Sequence, residues 1–289
     1  MAKIIDGKAL SQHCITQMAG DVQALKENGI VPGLAVIIVG EDDASQIYVR
    51  NKHRKAEKIG INSIVIRLST ETTQLELLER ISLLNHDPKI DGILVQLPLP
   101  SHINAEAVLD SITPEKDVDG FHPVNVGKLW SNRAEIVPST PFGIMKMLEF
   151  YNVDPTGKNA VIIGRSTIVG RPMAAMLLNA NATVTIVHSQ TKNLQEITQQ
   201  ADILVVAIGR SEYIKAKDIK AGAVVIDVGM NRDINNKLTG DVDYEDCFDK
   251  ASLITPVPGG VGPMTITMLM QQTINIAKRR ALNDTGNKR

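Results

Sequence analysis

Aromatic residues are scarce in this 289-residue chain: four Phe, four Tyr and one Trp make up 3% of it. Stacking platforms for single-stranded nucleic acid need more, and a formal net charge of -1 supplies no field to recruit a polyanion or an anionic membrane. Only two cysteines occur, Cys14 and Cys247, too few for a disulfide framework and not in a C-x-x-C pair. That usage fits a reducing compartment, and Cys14 falls on an apolar helix face where a thiol is ordinary. The six histidines are scattered without metal-ligand spacing, so no metal is expected. No G-x-S-x-G elbow is present, which leaves acyl chemistry on a serine unsupported. No apolar run approaches the length of a membrane span, and the opening MAKIIDGKAL has no signal core. A cytoplasmic protein without nucleic-acid or membrane partners is expected. With 43% hydrophobic and 22% charged residues, the chain has a globular composition and is long enough for two domains.

The stretch that organises the chain is AVIIGRSTIVGRP, residues 160–172. An apolar run (Val161, Ile162, Ile163) breaks at Gly164, small residues follow, and Gly170 opens an apolar helix through Met173, Ala174 and Leu177. A strand, a tight turn and a helix N-terminus form the geometry that cradles a pyrophosphate, because first-turn N–H groups and the helix dipole face the anion. The pattern is G-x-S-x-x-x-G, with Ser166 where the usual dinucleotide fingerprint has its second glycine and one residue more before the last. Thr183 to Val187 reads as the next strand. A dinucleotide site that selects NAD carries a carboxylate at its end, whereas here His188, Ser189 and Gln190 follow, with Arg165, Arg171 and Lys192 in reach. That favours NADP; Ser189 is also a candidate cap for the helix beginning near Asn193. Strands at 203–207 and 223–228 continue a parallel sheet.

A second α/β unit precedes this one. A short strand at Ile4 and Ile5 leads to a helix on Leu10, Cys14, Met18, Val22 and Leu25. LAVIIV, residues 34–39, is continuously apolar and hence a buried parallel strand. A helix over 44–59, a strand over 63–68, a helix over 72–85 and the strand GILVQL at 92–97 follow. Residues 116–141 read as a long irregular stretch, and a helix over 141–151 leads into the dinucleotide unit. The expected domains are 1–140 and 141–263, with a final helix from Met264 and a frayed polar tail over 281–289.

On the helix over 44–59, Tyr48 and Lys52 are four apart and share a face, among Arg50, Arg54, Lys55 and Lys58. A basic helix is ordinarily a solvated face, but like charges with partial burial lower a lysine pKa towards a value useful for proton exchange. Gln96 ends a strand where ligands of open α/β sheets sit, and its amide can accept from Lys52 and donate to a carbonyl. Asp117 and Asp119 in KDVDGF lack partners at metal spacing, which leaves turn formation or acceptance from a guanidine-like edge.

Five stretches in order, Tyr48-Val-Arg-Asn-Lys52, Val95-Gln-Leu-Pro-Leu-Pro100, Lys116-Asp-Val-Asp-Gly120, Gly164-Arg-Ser through Val169-Gly-Arg-Pro172, and Thr255-Pro-Val-Pro-Gly-Gly-Val-Gly-Pro-Met-Thr265, closely resemble the bifunctional methylenetetrahydrofolate dehydrogenase/methenyltetrahydrofolate cyclohydrolase family. The resemblance covers all but the last few residues. It implies two α/β domains across a cleft, a catalytic and folate-binding domain and a Rossmann-like NADP-binding domain, with the helix over 264–282 returning to the first. It also implies a homodimer. By the same resemblance Lys52 is the acid/base residue, Tyr48 packs with it over the folate, Gln96 orients it, and Asp119 holds the pterin edge. Val95, Leu97, Pro258, Gly259, Gly260, Val261 and Gly262 would line the substrate. Gly164, Arg165, Ser166 and Ser189 would hold NADP, and Met230 stands at a nicotinamide-side position often held by isoleucine, so only its backbone is expected to contribute.

The implied chemistry is oxidation of 5,10-methylenetetrahydrofolate by NADP and hydrolysis of the methenyl product to 10-formyltetrahydrofolate. Two other readings stay open on the residues alone: a monofunctional dehydrogenase of amino or hydroxy acids, which gives Tyr48, Lys52 and Gln96 no joint role, and an NADP-sensing module without turnover.

Overall fold

The computed structural model describes residues 1–286 and divides into two compact units. One comprises Met1–Gln12 with Thr140–Thr265, the other His13–Ser139 with the chain from Ile266 onward. The first twelve residues thus leave the expected 1–140 domain. The cause is strand pairing: β1 (Lys3–Ile4) lies parallel to a strand near residue 253, with Lys3 opposite Leu253.

After α1 (Gly7–Glu27) come β2 (Gly33–Val39), α2 (Asp43–Ile59), β3 (Asn62–Leu68), α3 (Gln74–His86) and β4 (Gly92–Val95). β2 lies between β3 and β4 in a three-stranded parallel sheet and is buried along its whole length, as its unbroken apolar sequence requires. Ala35, Ile37, Val39, Ile93 and Val95 face Leu77, Ile81 and Leu84 of α3. Each large aliphatic side chain buried there stabilises the unit by about 1.5–3 kcal/mol. Local signals set the helix ends. Asp42 accepts from the Ser45 N–H at 2.8 Å and Gly60 closes α2 in the left-handed region, while Thr73 and Glu76 form a reciprocal capping box on α3.

Two short helices, α4 (Ala105–Asp110) and α5 (Pro123–Trp130), follow β4. The second lies inside the stretch expected to be irregular. Its proline occupies the first position, His122 Nδ1 accepts from the Val124 N–H at 3.1 Å, and Asn125 and Leu129 are buried. Eight residues including a glycine give too little periodicity to stand out. α6 (Ser139–Phe150) starts two residues before the expected boundary, so Pro141 sits third, still within the turn whose N–H groups have no intrahelical partner.

The other unit continues with β5 (Asn159–Ile163), α7 (Gly170–Asn179), β6 (Thr183–Val187), α8 (Leu194–Thr198), β7 (Ile203–Val206) and β8 (Val224–Asp227). A small antiparallel pair, β9 (Asn231–Arg232) and β10 (Leu238–Thr239), precedes α9 (Tyr244–Phe248) and β11 (Leu253–Ile254). Six parallel strands form one sheet in the order β1-β11-β8-β7-β5-β6, over a core that includes Val161, Ile163, Leu204, Val206, Val225 and Ile254. The order reverses between β5 and β7, which makes the carboxyl ends of these strands the topological switch point. Asn193 caps α8 from the left-handed region without a side-chain bond, so Ser189 does not cap that helix.

α10 (Val261–Gly286) begins before the expected Met264 and runs into the stretch expected to be a frayed tail, of which residues 287–289 lie outside the described residues. Its later part packs in the unit of β2. Lys278 Nζ donates to Asp21 at 2.8 Å, Gln272 Nε2 to the Val137 carbonyl at 2.8 Å, and Arg280 forks onto buried Asp91 at 2.7 and 3.1 Å.

Candidate active site

In the unit of β2, α2 carries Tyr48 and Lys52 on one face, and the backbone after β4 brings Gln96 to meet it. The Gln96 N–H donates to Ile37 O at 2.8 Å, extending the pairing with β2 by one residue. Lys52 Nζ then donates to Gln96 Oε1 at 3.0 Å, and Gln96 Nε2 donates to the Leu97 carbonyl at 2.7 Å. That second bond fixes which way the amide points: oxygen towards the lysine. Burial holds Lys52 below the ordinary lysine value, with Asp119 opposing. Burial also pushes Asp119 up to about 6; Lys52 pulls it back and Asp117 adds to the rise. Tyr48 is half-buried, and desolvation raises its phenol. Val95 is buried in β4 and Leu97 half-buried beyond it.

The two acids of KDVDGF have separate jobs. Asp117 is buried, and its carboxylate accepts from the backbone N–H groups of Gly120 at 3.0 Å and His122 at 2.8 Å and from Asn125 Nδ2 at 3.0 Å. The loop folds round that carboxylate, and Asp119 projects from it. Asp117 is thus a turn former whose wider role the spacing of two acids did not reveal. The basic run on α2 divides as well: Arg50, Arg54 and Lys58 are exposed, whereas Lys55 donates to Thr267 Oγ1 at 3.0 Å and is brought down to about 8, chiefly by burial and then by Lys58.

In the other unit the turn after β5 is built for close approach. Gly164 has φ +120, and a Cβ there would collide with the Ala207 carbonyl at the end of β7. A Cβ on Gly170 would collide in turn with the Gly164 carbonyl. Ser166 Oγ accepts from the Val169 and Gly170 N–H groups, each at 3.2 Å, and so closes the turn that launches α7. Arg165 is exposed, and its carbonyl accepts from Arg171 Nε at 3.2 Å. Beyond β6, residues 188–191 form a turn in which the His188 N–H donates to Thr191 Oγ1 at 2.9 Å; Ser189 is exposed there, with no carboxylate beside it. Met230 is exposed after β8. The loop 258–262 is held by its own unit: the Gly260 N–H donates to Pro256 O at 2.8 Å, and Gly259 O accepts from the Lys8 N–H at 3.0 Å. Among the described residues no group of three or more His, Cys, Asp or Glu could hold a metal ion.

Glycines that admit no Cβ, at a switch point of a parallel sheet, fit the diphosphate of a dinucleotide. With a lysine, glutamine and aspartate set on a second α/β unit, they define a two-unit dinucleotide-dependent enzyme. Comparison with known proteins agrees. The profile for the tetrahydrofolate dehydrogenase/cyclohydrolase catalytic domain matches residues 5–119 and that for the NAD(P)-binding domain of the same family matches 138–281, and the chain belongs to that family. The bifunctional protein FolD of Lactococcus lactis subsp. cremoris is 61% identical over 98% of this chain and 99% of its own. The Campylobacter jejuni methylenetetrahydrofolate dehydrogenase/cyclohydrolase superposes with a TM-score of 0.95 at 51% identity, covering 97% of this chain and all 100% of that one. The Trypanosoma brucei enzyme, solved with NADP cofactor and inhibitor, gives 0.92 at 39% identity, covering 97% and 98%.

Proposed function

We propose that this chain oxidises 5,10-methylenetetrahydrofolate to the 5,10-methenyl cation with NADP and hydrolyses that cation to 10-formyltetrahydrofolate. The Lys52–Gln96 hydrogen bond at 3.0 Å carries this reading, because it couples a desolvated lysine to an amide of fixed direction, the pair that proton transfer in the hydrolysis needs and hydride transfer alone does not. In the hydrolysis, Gln96 Oε1 occupies one N–H of Lys52, leaving the lone pair of the neutral amine for substrate. Lys52 takes a proton from the water adding to the one-carbon bridge and returns a proton to N5 as the carbon–N5 bond opens. Asp119 accepts from the paired N–H groups of the pterin edge, and Tyr48 packs against the folate. Val95, Leu97 and residues 258–262 line the substrate.

NADP, when bound, supplies the hydride acceptor of the first step. Gly164, Arg165, Ser166 and Ser189 hold its phosphates and ribose, and the backbone of Met230 meets the nicotinamide side. The residues after β6 offer no carboxylate to repel a 2′-phosphate, which supports NADP over NAD. The enzyme works as a homodimer in the cytoplasm, without nucleic acid or membrane. The -1 net charge, which supplies no field to recruit a polyanion or an anionic membrane, supports the last point, and the homodimer rests on the family resemblance. Light scattering should give twice the 31.4 kDa chain mass.

The decisive experiment is Lys52→Met, assayed with methylenetetrahydrofolate and NADP while reduced cofactor and methenyl product are followed separately. The expected result is continued cofactor reduction with methenyl accumulating; equal loss of both activities in a folded variant would sink the division of roles.

A further inference from the structure

Two buried carboxylates at the carboxyl ends of β7 and β8 have no part in the chemistry above. Asp227 and Asp241 are 3% and 0% exposed. Asp227, the last residue of β8, accepts through Oδ1 from the N–H groups of Gly229 and Asp241, both at 2.9 Å, and through Oδ2 from that of Val242 at 2.9 Å. Asp241 gathers four donors. Its Oδ2 accepts from the N–H groups of Ile208 at 2.7 Å and Gly209 at 3.0 Å, and its Oδ1 from the Arg210 N–H at 2.7 Å and Asn231 Nδ2 at 2.9 Å. Glycines make the room: a Cβ on Gly229 would collide with the Asp241 carboxyl, and one on Gly240 with that of Asp227.

Bonds to an ionised acceptor are about twice as strong as neutral ones, and in a low dielectric each lost partner is felt in full. One carboxylate therefore fixes two loops at once. The three N–H groups it holds follow directly on Ala207, whose carbonyl sets the space at Gly164. On the other side it is packed against Gly229, whose N–H Asp227 holds, and accepts from the Asn231 side chain, so both neighbours of Met230 are tied to this carboxylate cluster. Met230 itself is exposed.

We propose that Asp241 is a positioning residue for hydride transfer: by holding residues 208–210 and Asn231 on one carboxylate, it sets the backbone around Met230 against the nicotinamide without touching the cofactor. The inference rests on the cofactor placement given under Proposed function.

The test is Asp241→Asn in the full chain, in which an amide NH2 faces N–H donors and half of the acceptor surface is lost. Misplacing a reacting group by about 1 Å costs on the order of a hundredfold in rate. The dehydrogenase kcat should accordingly fall by about tenfold or more, while the NADP Kd, set by the phosphate turn, changes less than about threefold. Hydrolysis of supplied methenyltetrahydrofolate should stay within about twofold, since its proton-transfer pair, Lys52 and Gln96, lies in the other unit. A role in stability alone would lower both activities in proportion to the folded fraction, and that result overturns the proposal, as does an unchanged dehydrogenase kcat. Should Asp241→Asn fail to fold, Asn231→Ala, which removes a single bond, takes its place: a severalfold loss of dehydrogenase kcat is expected, and none overturns the inference. Arg165→Ala in the same assay separates the two readings, because an unaltered NADP Kd there refutes the cofactor placement rather than the role of Asp241.

Discussion

Replacing Gln96 by Glu tests the acid/base reading with almost no change of shape. The amide oxygen 3.0 Å from Lys52 Nζ becomes a carboxylate. At that separation and an effective dielectric constant of about 20, the Coulomb attraction between unit charges is about 5 kcal/mol. Desolvating the new carboxylate, and losing the amide contact already present, take back roughly half of it. A net gain of about 2–3 kcal/mol for the ammonium raises the Lys52 pKa by about two units. At neutral pH the amine fraction then drops, by at most about a hundredfold, and the hydrolysis rate should drop with it. The sign gives the diagnostic: activity returns as pH rises, so the acid limb of the cyclohydrolase kcat profile shifts upward by about two pH units. Hydride transfer needs orientation rather than a proton, and should fall by less than about tenfold. A Gln96→Glu enzyme whose hydrolysis profile overlays that of the parent would refute the assignment of Lys52 as the proton carrier.

Two further outcomes are expected. Gly164→Ala places a methyl group against the Ala207 carbonyl at a residue with φ +120, so it should destabilise the unit by about 1–3 kcal/mol and weaken NADP binding, both read by thermal unfolding with and without cofactor. Asp119→Asn concerns a carboxyl that burial raises from the ordinary carboxylate range to about 6. A raised carboxyl favours the folded state below the unfolded pKa, and that contribution is lost as pH rises through about 6, so the asparagine variant should gain up to about 3 kcal/mol over the parent at pH 8 and little at pH 4. Unfolding measured across that range without folate would expose the reverse trend if the carboxylate were a stabilising group.

Much of the architecture was legible because period and punctuation agreed. LAVIIV could only be a strand buried on both faces, and Asp42 and Gly60 bracket α2 in sequence as they do in space. The Lys52 and Gln96 pairing was readable from a helix face and a strand end, since Lys52 lies on α2 and Gln96 directly follows β4. What escaped lies where long-range contact decides. α5 is too short to show a period, and β1, a strand of two residues, gives no sign of which sheet it joins. Asp241 escaped for another reason: its partners are mostly backbone N–H groups, which every non-proline residue has and no composition reveals.

The pairing of Lys3 with Leu253 bears on how the chain is made. Synthesis runs from the N-terminus, so the residues of β1 leave the ribosome long before the strand they adjoin. The intervening loop includes the whole three-stranded sheet, and contacts so distant in sequence are among the slowest to close. Until β11 emerges, the opening residues have no native strand to pair with. β1 is therefore made before the whole of the other unit's sheet and docked only after it, and the six-stranded sheet cannot be completed until β11 has been made.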